Sequence, residues 1–82
     1  MNKYTILSTR DCAYCYKAKQ HIHATERTYH SIDVNEHRWV KTLMQRAQMT
    51  TVPQIFDPFG NYVGGYEDLL KDGYKKKKET DY

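Results

Sequence analysis

The pattern of apolar and polar positions divides the chain into short strands separated by polar turns. Lys3 to Leu7 is a run of β-forming residues and predicts a buried or half-buried strand. Thr28 to Val34 and Gln54 to Phe56 predict two more strands, and Tyr62–Val63 predicts a short fourth one. The turn residues Asp57 to Asn61 join the last two strands and therefore predict an antiparallel hairpin.

Three helices are predicted around these strands. The first begins at Cys12 to Cys15 and runs to about Thr25, and the third runs from Tyr66 to about Lys71. The second has Asn35 as its predicted N-cap. Its apolar residues recur at i, i+1, i+4, i+5 and i+8, a continuous stripe that predicts a core-facing side. They are Trp39, Val40, Leu43, Met44 and Ala47.

The order β-α-β-α-β-β-α predicts an α/β fold of thioredoxin-like type, with one four-stranded mixed sheet and helices packed on it. A helix between two strands favours a parallel, right-handed crossover. The 82 residues suit a single domain, predicted over residues 1–74. The formal charge of +3 arises from Lys75 to Lys78. This run predicts a frayed, solvated tail over residues 75–82, with contact to nucleic acid or an acidic partner as the alternative.

Cysteine usage indicates redox chemistry. The chain has two cysteines, Cys12 and Cys15, and a disulfide between them would close too small a loop to stabilise the fold appreciably. Two close cysteines with no others suggest a reducing compartment. No transmembrane run or signal-peptide segment is visible in the sequence, so a cytoplasmic location is expected.

The Cys-x-x-Cys spacing explains how the pair would work. Residues three apart on a helix lie on one face, so the two sulfurs can bond without unfolding the helix. Cys12 would lie at the helix N-terminus, where free N–H groups and the helix dipole favour the thiolate at neutral pH. Cys12 is therefore the predicted nucleophile and Cys15 the resolving thiol. The alternative, half of a zinc site, lacks suitably spaced histidines, because His21 follows Cys15 too closely. We expect no metal site.

Three motifs in register resemble the signature of the glutaredoxins. They are Cys12-Ala13-Tyr14-Cys15, Thr51-Val52-Pro53 and Gly64-Gly65-Tyr66-Glu67-Asp68. The resemblance extends to about Tyr74 and points to a dithiol glutaredoxin, whose short length would suit a compact virus-encoded or bacterial form. It implies a glutathione-disulfide oxidoreductase that uses glutathione as reductant. The enzyme would reduce protein disulfides or glutathione mixed disulfides.

The resemblance also implies a glutathione site. Pro53 would follow a cis peptide bond, Val52 would hydrogen-bond the glutathione backbone, and Tyr14 would flank the substrate sulfur. Asp68 would hold the α-amino group of glutathione, with Glu67 beside it. The complete implied set is Arg10, Tyr14, Thr51, Val52, Pro53, Gly65, Tyr66, Glu67 and Asp68. Simpler alternatives remain for three of these features. Pro53 could be an ordinary proline at the start of a strand, Gly64–Gly65 could be only a turn, and Asp68 could be only a helix cap.

Two departures from the family pattern bear on function. Ala13 replaces the usual proline, and Thr9 replaces a frequent basic residue, for which Arg10 or Arg38 could substitute. Family variants without that proline sometimes hold a glutathione-ligated iron–sulfur cluster, so a cluster carrier is one alternative. Another is a glutaredoxin-like protein that is recharged by thioredoxin reductase. The expected protein is a monomer without membrane or nucleic-acid partners, with ribonucleotide reductase as one candidate protein substrate.

Overall fold

Four strands and three helices make up residues 3–72, the part of the chain that the computed structural model describes. The strands are β1 (Lys3–Ser8), β2 (Thr28–Asp33), β3 (Gln54–Phe56) and β4 (Tyr62–Gly64). The helices are α1 (Ala13–Ala24), α2 (Arg38–Arg46) and α3 (Tyr66–Asp72), and a 3-10 turn over Val34–Glu36 precedes α2. The predicted element order is confirmed. The domain boundary at residue 74 and the basic tail lie outside the described residues.

The four strands form one mixed sheet in the order β2-β1-β3-β4. Strand β1 pairs in parallel with β2, with Leu7 opposite Ile32. It pairs antiparallel with β3, with Ile6 opposite Ile55. Strands β3 and β4 form the antiparallel hairpin, whose register shifts between Ile55 and Phe56. This is the predicted thioredoxin-like arrangement. Among residues 3–72, none of the helices has the length and hydrophobicity of a membrane span.

Alternation along β1 produces two apolar clusters, because successive side chains of a strand point to opposite faces of the sheet. One cluster joins the sheet to α1 and α3 through Tyr4, Ile6, Ala18, Ile22, Ile55 and Leu69. The other joins it to α2 through Val34, Val40 and Met44, with Leu7, Ile32, Met49 and Val52 packed against them. The sheet therefore lies between α1 and α3 on one side and α2 on the other.

Tyr4 brings a polar group into the first cluster. Its side chain is only 3% exposed, and its hydroxyl donates to Asp72 Oδ2 at 3.4 Å. Burial, with a further contribution from the negative charge of Asp72, raises the pKa of Tyr4 to about 12. The phenol therefore stays neutral well above the pH at which a free tyrosine ionises.

The apolar stripe of α2 is only partly buried, which corrects the prediction that all of it faces the core. Val40 and Met44 are buried, whereas Trp39 is 61% and Leu43 57% exposed, and Ala47 is exposed as well. The two groups occupy neighbouring rows of one helix, since residues four apart stack along its surface. Only the row of Val40 and Met44 meets the cluster beneath α2.

The predicted N-cap of α2, Asn35, is also wrong. The Asp33 carboxylate accepts a hydrogen bond from the Asn35 backbone N–H at 2.8 Å and caps the 3-10 turn instead. Helix α2 then begins after His37, which caps it without a side-chain hydrogen bond. An aspartate side chain readily bonds the backbone N–H two residues on, so Asp33 closes this turn, and Asn35 lies inside the turn three residues before α2.

Candidate active site

Cys12 stands at the first residue before α1, as the sequence predicts. Its backbone is extended (φ −135°, ψ 104°), and its sulfur accepts a hydrogen bond from the Cys15 N–H at 3.0 Å. The Cα atoms of Cys12 and Cys15 are 5.2 Å apart, and their sulfurs form a disulfide bond. Cys15 is 1% exposed, whereas Cys12 is partly exposed. An incoming thiolate therefore reaches the sulfur of Cys12 and not that of Cys15.

The start of α1 favours an anion at the Cys12 sulfur. The start of α1 carries unpaired backbone N–H groups and the positive end of the helix dipole, and no acidic residue lies in its first turn. The Lys17 ammonium lies over the Tyr14 ring, 5.2 Å from its centroid. After reduction, the Cys15 N–H and the helix terminus would stabilise the Cys12 thiolate that the chemistry requires.

The Thr51–Pro53 loop lies directly beside the dithiol. The Val52–Pro53 peptide bond is cis, as the family resemblance implies, and the Val52 carbonyl oxygen is 3.8 Å from Cys12 Sγ. Gln54 follows the loop and is buried, and its amide nitrogen donates to the Thr51 carbonyl at 2.8 Å. No role is predicted for Gln54 from the sequence. The available signal was an amide side chain at the start of an otherwise apolar strand.

The Gly64–Asp68 segment forms another part of the site. The backbone N–H of Gly65 donates to Asp68 Oδ2 at 3.0 Å, as in a capping box at the start of α3. Asp68 thus does cap the helix, the simpler role considered for it, and its second carboxylate oxygen is not used by this bond. Gly64 has φ +122°, and a Cβ built on it would lie 2.7 Å from Asp68 Cγ. The second glycine, Gly65, has no such restriction.

The start of α1, the Thr51–Pro53 loop and the Gly64–Asp68 segment line a cleft of about 280 Å³. Eight of the nine residues predicted for glutathione line it, all except Arg10. Tyr14 and Tyr66 both line the cleft, and their ring centroids are 5.8 Å apart. The lining residues are Tyr14, Thr51, Val52, Pro53, Gly65, Tyr66, Glu67 and Asp68.

Arg10 is not brought to this cleft. Its guanidinium makes an exposed ion pair with Glu36 at 3.8 Å, and it lines a separate depression with Thr9, Asp11 and Asp33. A glutathione contact by Arg10 therefore stays a prediction. Among residues 3–72, no group of three or more histidine, cysteine, aspartate or glutamate side chains is placed to hold a metal ion.

Comparisons with known proteins agree with this geometry. The family model described as Glutaredoxin matches residues 4–58. No curated protein sequence matches the chain.

Solved structures supply the other likenesses. A dithiolic glutaredoxin from Trypanosoma brucei brucei is 30% identical, with TM-score 0.71, over 88% of this chain and 80% of its own. A glutaredoxin from Brucella melitensis is 29% identical, with TM-score 0.72, over 94% of this chain and 86% of its own. A buckwheat glutaredoxin in complex with glutathione is 22% identical, with TM-score 0.76, over 93% and 72%, and this last likeness concerns the fold alone.

Proposed function

Because this chain belongs to the glutaredoxin family and is a thiol–disulfide oxidoreductase, we propose that glutathione is its reductant. Its substrates would be protein disulfides and glutathione mixed disulfides. One observation carries this proposal: eight predicted glutathione residues line one cleft, and the carbonyl oxygen of one of them, Val52, is 3.8 Å from Cys12 Sγ. A solved structure of the same fold is described as a complex with glutathione, which supports the same assignment.

The dithiol can carry out the reaction without another cofactor. The Cys12 thiolate attacks a substrate disulfide, one substrate sulfur leaves as a thiolate, and the other stays bonded to Cys12. The Cys15 thiol, deprotonated as it attacks, then displaces that sulfur and closes the Cys12–Cys15 disulfide. Two glutathione thiols reverse this step: the first opens the disulfide at Cys12, and the second releases oxidised glutathione. Each turnover moves two electrons from glutathione to the substrate.

The cleft offers distinct groups for distinct parts of glutathione. Backbone groups of Val52 would pair with the peptide of glutathione, because they adjoin the reacting sulfur. The Asp68 oxygen that does not bind Gly65 would hold the α-amino group. The Tyr14 and Tyr66 rings would cover the sulfur end. The charge-assisted bond between Asp68 and the α-amino group would contribute about 1.5–3 kcal/mol to binding.

The cellular setting follows from the same chemistry. A dithiol that glutathione must keep reduced works in a reducing compartment, so we propose a cytoplasmic location. Ribonucleotide reductase is one candidate protein substrate, on the strength of the family resemblance. Recharging by thioredoxin reductase is the competing electron source, and the next experiment separates the two.

The test is a coupled assay with glutathione, glutathione reductase and NADPH, run beside thioredoxin reductase with NADPH. We expect turnover of a glutathione mixed disulfide in the first system only. Cys12→Ser should abolish turnover, whereas Cys15→Ser should keep deglutathionylation and lose reduction of protein disulfides. Activity of Cys12→Ser, or reduction by thioredoxin reductase alone, would contradict the proposal.

A second variant pair tests the cleft. Asp68→Asn keeps an oxygen for the Gly65 N–H but removes the charge, so KM for the glutathione substrate should rise about tenfold, for a loss near 1.4 kcal/mol. Glu26→Gln is the matched control, because it removes one exposed carboxylate just beyond the C-terminal end of α1. Equal KM values for the two variants would show that Asp68 does not bind glutathione.

A further inference from the structure

Gln54 is a buried polar side chain whose bonds all lead away from its own strand. It is 5% exposed, at the start of β3 and directly after Pro53. Its amide nitrogen donates to the Thr51 carbonyl at 2.8 Å and lies 3.3 Å from the Thr51 hydroxyl. Its amide oxygen accepts from the Tyr62 hydroxyl. A buried amide without such partners would be costly, and here both ends are satisfied.

The hydrogen-bond chemistry fixes how this amide is oriented. A backbone carbonyl can only accept, so the group facing the Thr51 carbonyl must be the NH₂ end of Gln54. The oxygen then faces Tyr62, whose hydroxyl must donate. The Tyr62 ring lies against Phe56, 5.4 Å between centroids. The chain of bonds therefore runs in one direction, from β4 through Gln54 to the loop beside Cys12.

We propose that Gln54 is a positioning residue that holds the Thr51–Pro53 loop in the shape that receives glutathione. The proposal rests on the proposed function. The Val52 side chain packs against the cluster beneath α2, which restrains the loop on one side. The Gln54 amide restrains it on the other side, at Thr51. Between these two attachments lies the Val52 carbonyl, 3.8 Å from Cys12 Sγ.

This arrangement predicts an effect on binding and not on the sulfur itself. The Cys12 sulfur takes its hydrogen bond from the Cys15 N–H within α1, which does not involve Gln54. Loosening Thr51 would therefore misplace the Val52 backbone groups and weaken glutathione binding. The intrinsic reactivity of Cys12 would be unaffected. A merely space-filling Gln54 would affect neither property once the protein is folded.

The experiment compares two Gln–Tyr pairs in the same chain. Gln54→Leu keeps the volume and removes the bonds, and Tyr62→Phe removes only the outer one. The control is the exposed pair on α1, in which Gln20 donates to the Tyr16 hydroxyl at 3.0 Å, tested as Gln20→Leu. Since loosening Thr51 should cost about as much as one lost hydrogen bond, KM for a glutathione mixed disulfide should rise roughly twofold to tenfold in Gln54→Leu.

We expect a smaller rise in Tyr62→Phe and none in Gln20→Leu. The rate of alkylation of reduced Cys12 by iodoacetamide should stay within about twofold in all three variants, because each leaves the first turn of α1 intact. An unchanged KM in Gln54→Leu would overturn the proposal. A fall in alkylation rate that matched the rise in KM would also overturn it, because the sulfur itself would then be disturbed.

A second readout does not depend on glutathione turnover. Backbone amide order parameters of Thr51 and Val52 should fall from about 0.85, typical of rigid backbone, towards 0.6 in Gln54→Leu. They should stay unchanged in Gln20→Leu. If the wild-type chain did not turn over with glutathione, the proposed function would fail while these order parameters still decided the role of Gln54. Rigid Thr51 and Val52 amides in Gln54→Leu would refute it.

Discussion

Replacement of Gly64 by alanine is expected to destabilise the fold, whereas the same change at Gly65 is not. Gly64 has φ +122°, in the region that side chains rarely adopt. A Cβ there would lie 2.7 Å from Asp68 Cγ and 2.8 Å from Asp68 Cβ. Rotation of the Asp68 side chain cannot relieve the second contact, so the backbone between β4 and α3 must move. At Gly65 the nearest atom, the Pro53 carbonyl oxygen, is 3.7 Å away.

The magnitude follows from two contributions. A residue forced into a sparsely populated backbone region costs about 1–3 kcal/mol. Displacement of Asp68 also breaks its bond with the Gly65 N–H at 3.0 Å, and loss of a helix cap costs about 0.5–2 kcal/mol. Gly64→Ala should therefore lower the free energy of unfolding by about 1.5–5 kcal/mol. Gly65→Ala should change it by less than about 1 kcal/mol, because its contact is ordinary and alanine restricts the unfolded chain.

The assay is equilibrium denaturation by guanidinium, followed by far-UV circular dichroism, with both variants in the same redox state. Fluorescence would be a poor probe, because Trp39, the one tryptophan, is 61% exposed in the folded state. In the same samples, KM for a glutathione mixed disulfide should rise in Gly64→Ala, since Asp68 is displaced. Equal midpoints for the two alanine variants would refute the steric reasoning.

Two further predictions concern the core. The folded-state pKa of Tyr4 is raised to about 12 from an ordinary value of 10. Its contribution to stability is therefore complete below pH 10 and is lost as the pH rises through 12, by about 2–3 kcal/mol at 1.36 kcal/mol per pKa unit. Tyr4→Phe should lack this loss in denaturation curves between pH 9 and 12, and an identical pH profile would contradict the assignment. Trp39→Ala should cost less than about 1 kcal/mol and Met44→Ala about 2–5 kcal/mol. Equal costs in urea denaturation would mean that Trp39 is buried in solution.

Much of the fold could be predicted because its signals are local. The alternation in β1, the turn before β4 and the Cys-x-x-Cys spacing each depend on neighbours in the sequence, and the structure confirms the resulting topology. The stripe on α2 shows the limit of such signals. Periodicity identifies which residues share a helix side, but the number of buried rows depends on what packs against the helix. For α2, Val40 and Met44 are covered, and Leu43 is not.

The site was predictable to the extent that its three motifs each occupy one segment. Their meeting in one cleft follows from the sheet order, which brings the loop before β3 and the turn after β4 to the start of α1. Bonds between segments had no local signal. The contact of Tyr62 with Gln54 depends on the hairpin register, and the ion pair that draws Arg10 to Glu36 joins residues far apart in sequence.

The sulfur of Cys12, which we propose as the reacting atom, is also the cap of α1. These two roles together restrict which residues can replace Cys12. The N–H it satisfies belongs to Cys15, and this bond is partly buried, so an apolar replacement would remove the acceptor of that N–H. Serine or aspartate could preserve the start of the helix while ending the redox chemistry. A descendant that had become a pure binding domain should therefore carry a side-chain acceptor at this position. Changing the single codon for Cys12 would then remove the activity while the fold is kept.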